Sequence, residues 1–373
     1  TLLVDSHVGD SFIETIPYAE SYDICITNPP WCILKPSTND IKALTNKEAQ
    51  YFEITMKDYC RMLEQLYHYS MPAKRFGRWG INLSRCGAEC AIRLLASGGI
   101  CGIVLPASFF SDQVTALLRK WIIEDYDVKA FAYYPAELKL FGSVDQSSAT
   151  VVLRNGPEST HEFSSTVFDR EKNRTVSILD GESLSFMRVT QYAIPFGYDE
   201  ELFSIARKLL KLNTLVNYPE LKIGREIDET RIESKLSDRK GNLRFIKGFM
   251  VGRYTCLTEP IRYLVEDKIK DIPKSANYER IAWRDVSRAS QKRRMQATLL
   301  PPGTITGNSL GIVYIPKASH EVMCFLLAVM NSMVFEFQAR RQLVTNHVAS
   351  GVLRNIPIPA VQEHFIAKIA PLV

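Results

Sequence analysis

Tyr22-Asp-Ile-Cys-Ile-Thr-Asn-Pro-Pro-Trp31 joins a short apolar strand to two successive prolines and an aromatic residue. Each proline fixes its own φ and pushes the residue before it out of the helical region. The chain leaving the strand is therefore stiff and extended. In that setting the Asn28 carboxamide oxygen and the Pro29 carbonyl can converge on one point. Two fixed acceptors suit an exocyclic NH2, which has two hydrogens to donate, and Trp31 adds a flat face for a planar ring. Asn-Pro-Pro is also an ordinary turn sequence. The strand before it and the indole after it favour the binding reading.

At 373 residues the chain predicts two or three domains. Hydrophobic residues at 46% and charged residues at 23% are ordinary for a soluble globular protein. The eight cysteines form no CxxC pair and no Cys/His set at zinc spacing, so no metal site is expected. Cys86 and Cys90 share a helix face without further partners. Free thiols suit a reducing compartment, no signal-peptide pattern opens the chain, and Val322–Phe335 is too short to cross a bilayer. The expectation is a cytoplasmic protein with no membrane partner.

Charge is unevenly placed. Residues 1–220 hold 22 Lys+Arg against 27 Asp+Glu, residues 221–300 hold 19 against 11, and the rest contributes +2 to the net +5. A basic segment following an acidic half suggests a polyanion-binding face in the later part.

Up to about Asn155 the pattern alternates. Strand-like runs are 2–4, 23–27, 100–105, 128–133 and 149–153, and helical patterns run over 49–69, 84–96 and 112–124, with Gly98-Gly99 ending a helix. This predicts a mostly parallel sheet with helices on both faces. Ligands in such sheets sit at the carboxyl ends of strands, where Asn28–Trp31 falls. Residues 156–190 read as a connecting segment leaving the sheet. A helix near 200–212, a strand-rich stretch over 221–315 and one long helix over 320–340 follow.

Asn28-Pro29-Pro30-Trp31 after a strand resembles the catalytic motif of gamma-class N6-adenine DNA methyltransferases of restriction-modification systems, the TaqI-like architecture. The resemblance covers most of the chain and is strongest over residues 22–155. It implies a partial, Rossmann-like S-adenosylmethionine-dependent methyltransferase sheet (1–155), a connecting segment (156–190) and an α+β DNA target-recognition domain (191–373). By resemblance, Asn28 and Pro29 hold the target amino group, Pro30 stiffens the loop and Trp31 stacks on the extruded base. Phe141, in LKLFGSVDQSSATVVL, matches an aromatic that clamps that base. Asp10 and Phe12 match residues bordering the cofactor's adenine. The family's glycine-containing cofactor loop should precede Asp10, where only nine residues stand, so a fragment truncated at its N-terminus is expected.

In the later half, Phe245–Tyr254 resembles a strand and glycine-containing turn of the recognition domain and carries Arg253. Residues 280–294 hold Arg280, Arg284, Arg288, Lys292, Arg293 and Arg294, with Trp283, Ser287, Ser290 and Gln291 among them. As a group these are expected to face DNA, since Arg and Lys neutralise phosphates and Arg, Ser and Gln read base edges. The implied partners are double-stranded DNA and a restriction endonuclease, fused or separate. N4-cytosine methylation, an RNA or protein amino-methyltransferase, and a DNA-binding specificity module with an incomplete catalytic domain remain as alternatives.

Overall fold

A computed structural model describes residues 11–34, 44–72, 81–142, 146–195, 197–232, 236–238, 243–257, 262–264, 272–288, 291–343 and 345–373. The chain divides into two units, Thr1–Asp199 and Glu200–Val373.

The strands of the first unit are β1 (Tyr22–Thr27), β2 (Ile33–Leu34), β3 (Ile81–Asn82), β4 (Leu95–Pro106), β5 (Asp127–Tyr134), β6 (Ser148–Arg154), β7 (Phe163–Phe168) and β8 (Arg174–Leu179). Six of them form one sheet in the order β1-β4-β6-β5-β7-β8, and β2 pairs with β3. The sheet is mixed rather than mostly parallel. Only β1–β4 and β5–β7 run parallel, while β4–β6, β5–β6 and β7–β8 are antiparallel. For β7–β8 the reason is connection length: the segment from 169 to 173 is too short for a crossover, so the pair returns as a hairpin. Residues 163–179, expected within a connecting segment, instead extend the sheet by two strands, and the unit closes near Asp199.

The helix Leu83–Arg93 ends before β4 begins at Leu95, so Gly98 (φ +83°) lies inside the strand, where the register with β1 slips. This helix contacts β1 and β4, and Ala116–Asp125 contacts β5. Beneath them Cys101, Ile103, Leu105, Val128, Phe131, Val151 and Leu153 are buried. The opposite face is different. Ile24, Ile26, Ile100, Val176 and Ile178 are exposed there, Ile26 by 84%. Along one register line run Ile26, Gly102, Val152, Ala130, Ser164 and Ile178, a smooth row of mostly small residues between two isoleucines. Each exposed isoleucine would gain about 1.5–3 kcal/mol on burial. Helices on both faces were expected; among the described residues only one face is covered.

The second unit contains β9 (Lys222–Gly224), β10 (Leu236–Ser237), β11 (Leu243–Ile246), β12 (Arg262–Leu264), β13 (Arg280–Arg284), β14 (Ala297–Leu300), β15 (Thr304–Thr306) and β16 (Leu310–Tyr314). They form two four-stranded sheets, β14-β13-β16-β9 and β10-β12-β11-β15. The single long helix expected over 320–340 is two, His320–Met330 and Met333–Gln342, bent by 58°. Ser319 and Ser332 cap their N-termini, and the second cap interrupts the run. No single helix is long and apolar enough to cross a membrane among the described residues. Met323, Leu326, Leu327 and Met330 pack with Trp283, Met295, Phe335, Ile356 and Ile358 into the core of this unit.

The asymmetry of the first sheet predicts opposite outcomes for two isoleucines. Ile103→Ala should cost about 2–5 kcal/mol, whereas Ile26→Lys should change stability by no more than about 0.5 kcal/mol. Urea denaturation of this chain measures both, and a large loss for Ile26→Lys would mean that the face is covered.

Candidate functional site

Asn28, Pro29, Pro30 and Trp31 follow β1 directly, at its carboxyl end. Asn28 is exposed and its carboxamide is engaged by no protein group among the described residues. Pro29 is buried, Pro30 exposed and Trp31 half-buried. The loop is anchored from below. Pro29 sits against Gly87 in the Leu83–Arg93 helix, so closely that a Cβ at Gly87 would lie 2.4 Å from the Pro29 Cβ. Just beyond the loop, the Cys32 carbonyl accepts a hydrogen bond from Leu83 N–H (3.0 Å), and β2 pairs with β3 at the foot of the same helix. The helix is itself fixed by buried Glu89, which accepts from Ser70 N–H (2.7 Å), Ser70 Oγ (2.8 Å) and Arg93 (2.5 Å).

Trp31 and Phe141, separated by 110 positions, meet edge to face with centroids 5.5 Å apart and planes at 76°. Phe141 is carried there by the connection after β5, in which Lys139 and Gly142 take positive φ. Exposed Asn28 thus precedes by three residues an aromatic pair built by two loops at one end of the sheet. Trp31 Nε1–H is buried with no hydrogen-bond partner among the described residues. Leaving such a donor unmade costs about 1–3 kcal/mol.

Two residues were assigned to a cofactor, Asp10 and Phe12. Asp10 lies outside the described residues. Phe12 packs edge to face on Tyr67 (5.8 Å), whose hydroxyl donates to the Phe12 carbonyl (2.5 Å), within a small core of Leu63, Ile81 and Cys86. Burial pushes the Cys86 thiol up to about 12, so it stays a packed, neutral group. Among the described residues no cluster of His, Cys, Asp or Glu is set to hold a metal ion.

The basic residues of the second unit divide by burial. Arg280 is fully buried and pairs with equally buried Glu226 (2.9 Å), while also donating to the Thr304 carbonyl (2.5 Å). Arg294 is buried and donates to the carbonyls of Leu343 (2.5 Å), Ser287 (2.9 Å) and Thr345. Neither reaches a DNA backbone, and both expectations are corrected: these guanidiniums use their forked donors to tie loops together. Trp283 is likewise a core residue, with its Nε1–H on the Val348 carbonyl (2.9 Å) and its ring lying where a Cβ on Gly311 would stand. Arg284 is partly committed to the carbonyls of Val251 and Phe249, and Arg293 to that of Asn331. Ser287 is buried and bonds Gln291 (2.5 Å), and Ser290 lies outside the described residues. Arg253, Arg288 and Lys292 are exposed.

No protein-family model and no curated protein sequence matches the chain. Solved structures do. MmeI, a type IIL restriction-modification enzyme in complex with DNA, matches at 11% identity and TM-score 0.54, over 93% of this chain and 48% of MmeI. The DrdV–DNA complex matches at 10% and 0.52, over 95% and 44%. A nuclease-deletion mutant of the type ISP restriction-modification enzyme LlaGI, bound to a DNA substrate mimic, matches at 11% and 0.50, over 93% and 34%. The chain shares their fold. It spans less than half the length of each.

Sequence reading missed Gly87, Glu226, Glu336 and Asn331. A glycine inside an amphipathic helix was the one available signal for Gly87. Glu336 accepts from Arg294 and Met295 N–H (2.9 and 2.8 Å), and Asn331 bonds both the N–H and the carbonyl of Ala297 (3.1 and 3.0 Å). These roles depend on contacts between remote segments and leave no local pattern.

Gly87 supplies a test of sign. In an exposed helix Gly→Ala stabilises by about 0.5–1 kcal/mol, but here Gly87→Ala should destabilise by about 1–3 kcal/mol through collision with Pro29. Thermal unfolding reads the sign. Separately, Glu226→Ala should cost about 3–5 kcal/mol by leaving Arg280 buried and unpaired, and Arg288→Ala should leave chemical denaturation nearly unchanged.

Proposed function

We propose that this chain is the base-binding and DNA-reading portion of a site-specific DNA methyltransferase of a restriction-modification system, acting on the N6 amino group of an adenine swung out of duplex DNA. The observation that carries the reading is the open Asn28 carboxamide at a proline-locked strand end beside the Trp31–Phe141 pair. The adenine amino nitrogen is a weak nucleophile because its lone pair is delocalised into the ring. Asn28 and the Pro29 carbonyl would accept its two hydrogens, favour pyramidal geometry and localise that lone pair. Positioning and electrostatics supply the catalysis, and no strong base is needed. Extruding a base costs a few kcal/mol; stacking on an aromatic returns about 1–3 kcal/mol.

S-adenosylmethionine would supply the methyl group in this reading. The reading also takes the cytoplasm as the site of action, duplex DNA as partner and a restriction nuclease, fused or separate, as associate. Support for the DNA partner comes from the exposed Arg253, Arg288 and Lys292, and from the DNA complexes of proteins with this fold. A second reading, a DNA-binding specificity module without turnover, draws on the uncovered sheet face for this chain taken alone.

In the complete protein, Asn28→Ala should lower tritiated methyl transfer to duplex DNA by about 100-fold or more while changing DNA affinity little. Equal loss of both would make Asn28 a structural residue. Replacing Arg253, Arg288 and Lys292 by Ala should each flatten the salt dependence of binding by about one unit of slope. An unchanged slope in all three would move the DNA-facing surface elsewhere.

A further inference from the structure

Asp285 stands at the end of β13, and Arg225 follows β9. Both strands flank β16 and run antiparallel to it, so both finish at the same end of the sheet. Asp285 is buried, with its N–H on the Ser309 carbonyl (3.0 Å) and its own carbonyl accepting from Val348 N–H (2.6 Å). Its two side-chain oxygens are taken separately. Arg225 donates to Oδ1 (2.5 Å), and His347 Nδ1 lies 2.7 Å from Oδ2. Both outer partners remain open to solvent, the Arg225 side chain by 46% and that of His347 by 58%. Buried Arg294 ties the two loops together through the Ser287 and Thr345 carbonyls, and exposed Arg288 lies three residues beyond Asp285.

One buried carboxylate thus holds two half-exposed side chains, a guanidinium and an imidazole. A carboxylate can only accept, so His347 Nδ1 carries the hydrogen and the other ring nitrogen, Nε2, varies. In neutral imidazole Nε2 is an acceptor and repels a phosphate oxygen. Once protonated it becomes a charged donor beside the Arg225 guanidinium.

We propose that Arg225 and His347, positioned by Asp285, form a contact site for a DNA backbone phosphate that is complete only when His347 carries its second proton. The proposal rests on the DNA-binding reading above and deepens it. The charged groups facing His347 are Asp285 from the β13 end, Arg225 from the β9 end and Arg294 from the 291–295 segment. The hydrogen bond to Asp285 raises the imidazolium above its ordinary range, against burial and the two arginines. The sign follows. A raised pKa means the contact is present at low pH and is lost as pH rises through the folded-state value.

The test is the affinity of the full chain for a fluorescent random-sequence duplex of about 30 base pairs, from about pH 6 to pH 9, at several salt concentrations. Affinity should fall about tenfold across that range, and the salt slope should be steeper by about one at pH 6 than at pH 9. His347→Gln keeps a donor for Asp285 without the charge, and should bind weakly at every pH. Arg253→Ala should weaken binding while keeping the pH dependence. A salt slope that does not change with pH in the wild-type chain overturns the proposal even if His347→Gln fails to fold. So does a pH dependence that survives His347→Gln. A His347 that only tethers its loop would shift the unfolding temperature with pH and leave the salt slope alone. No salt-dependent DNA binding at any pH would remove the DNA-binding reading itself, and this proposal with it.

Discussion

The seating of Pro29 against Gly87 is the constraint on which the candidate site depends. Two prolines make the loop stiff, but stiffness does not say where it points. Direction comes from a helix that lacks a side chain where the pyrrolidine ring arrives, and from the Cys32–Leu83 hydrogen bond that closes the next turn. Glu89, buried on the same helix and bonded to Ser70 and Arg93, holds that surface in place. Asn28 is exposed while the residue after it is locked and buried. In the function proposed above, an acceptor held this way would need no reorganisation when an amine arrives.

The second unit uses cations in two ways. Arg280 and Arg294 are buried and saturate carbonyls and carboxylates from segments far apart in the chain, work for which a planar guanidinium with five donors is suited. Arg253, Arg288 and Lys292 are exposed and available to a polyanion. The excess of positive charge over residues 221–300 is thus partly internal scaffolding. Buried Glu226 and Glu336 offset it from within the core, so the net charge of the segment poorly measures the charge that faces a partner.

The first sheet carries its own asymmetry. The face under the helices is filled by branched and aromatic side chains, while the other presents small residues between exposed isoleucines.

By itself the sequence determined the strand entering Asn28–Trp31, the positions of β5 and β6 and the later part of β4. All of these rest on local periodicity and on proline's fixed geometry. Tertiary structure alone decided which strands pair in parallel, that residues 163–179 extend the sheet, that Phe141 meets Trp31, and that Ser332 breaks the apolar run into two helices. It also decided which arginines reach solvent. The physical reason is common to them: pairing direction, burial and the partner of a long charged side chain are set by segments tens to more than a hundred residues away. An arginine tied into the core and one waiting for a phosphate are the same letter in the chain.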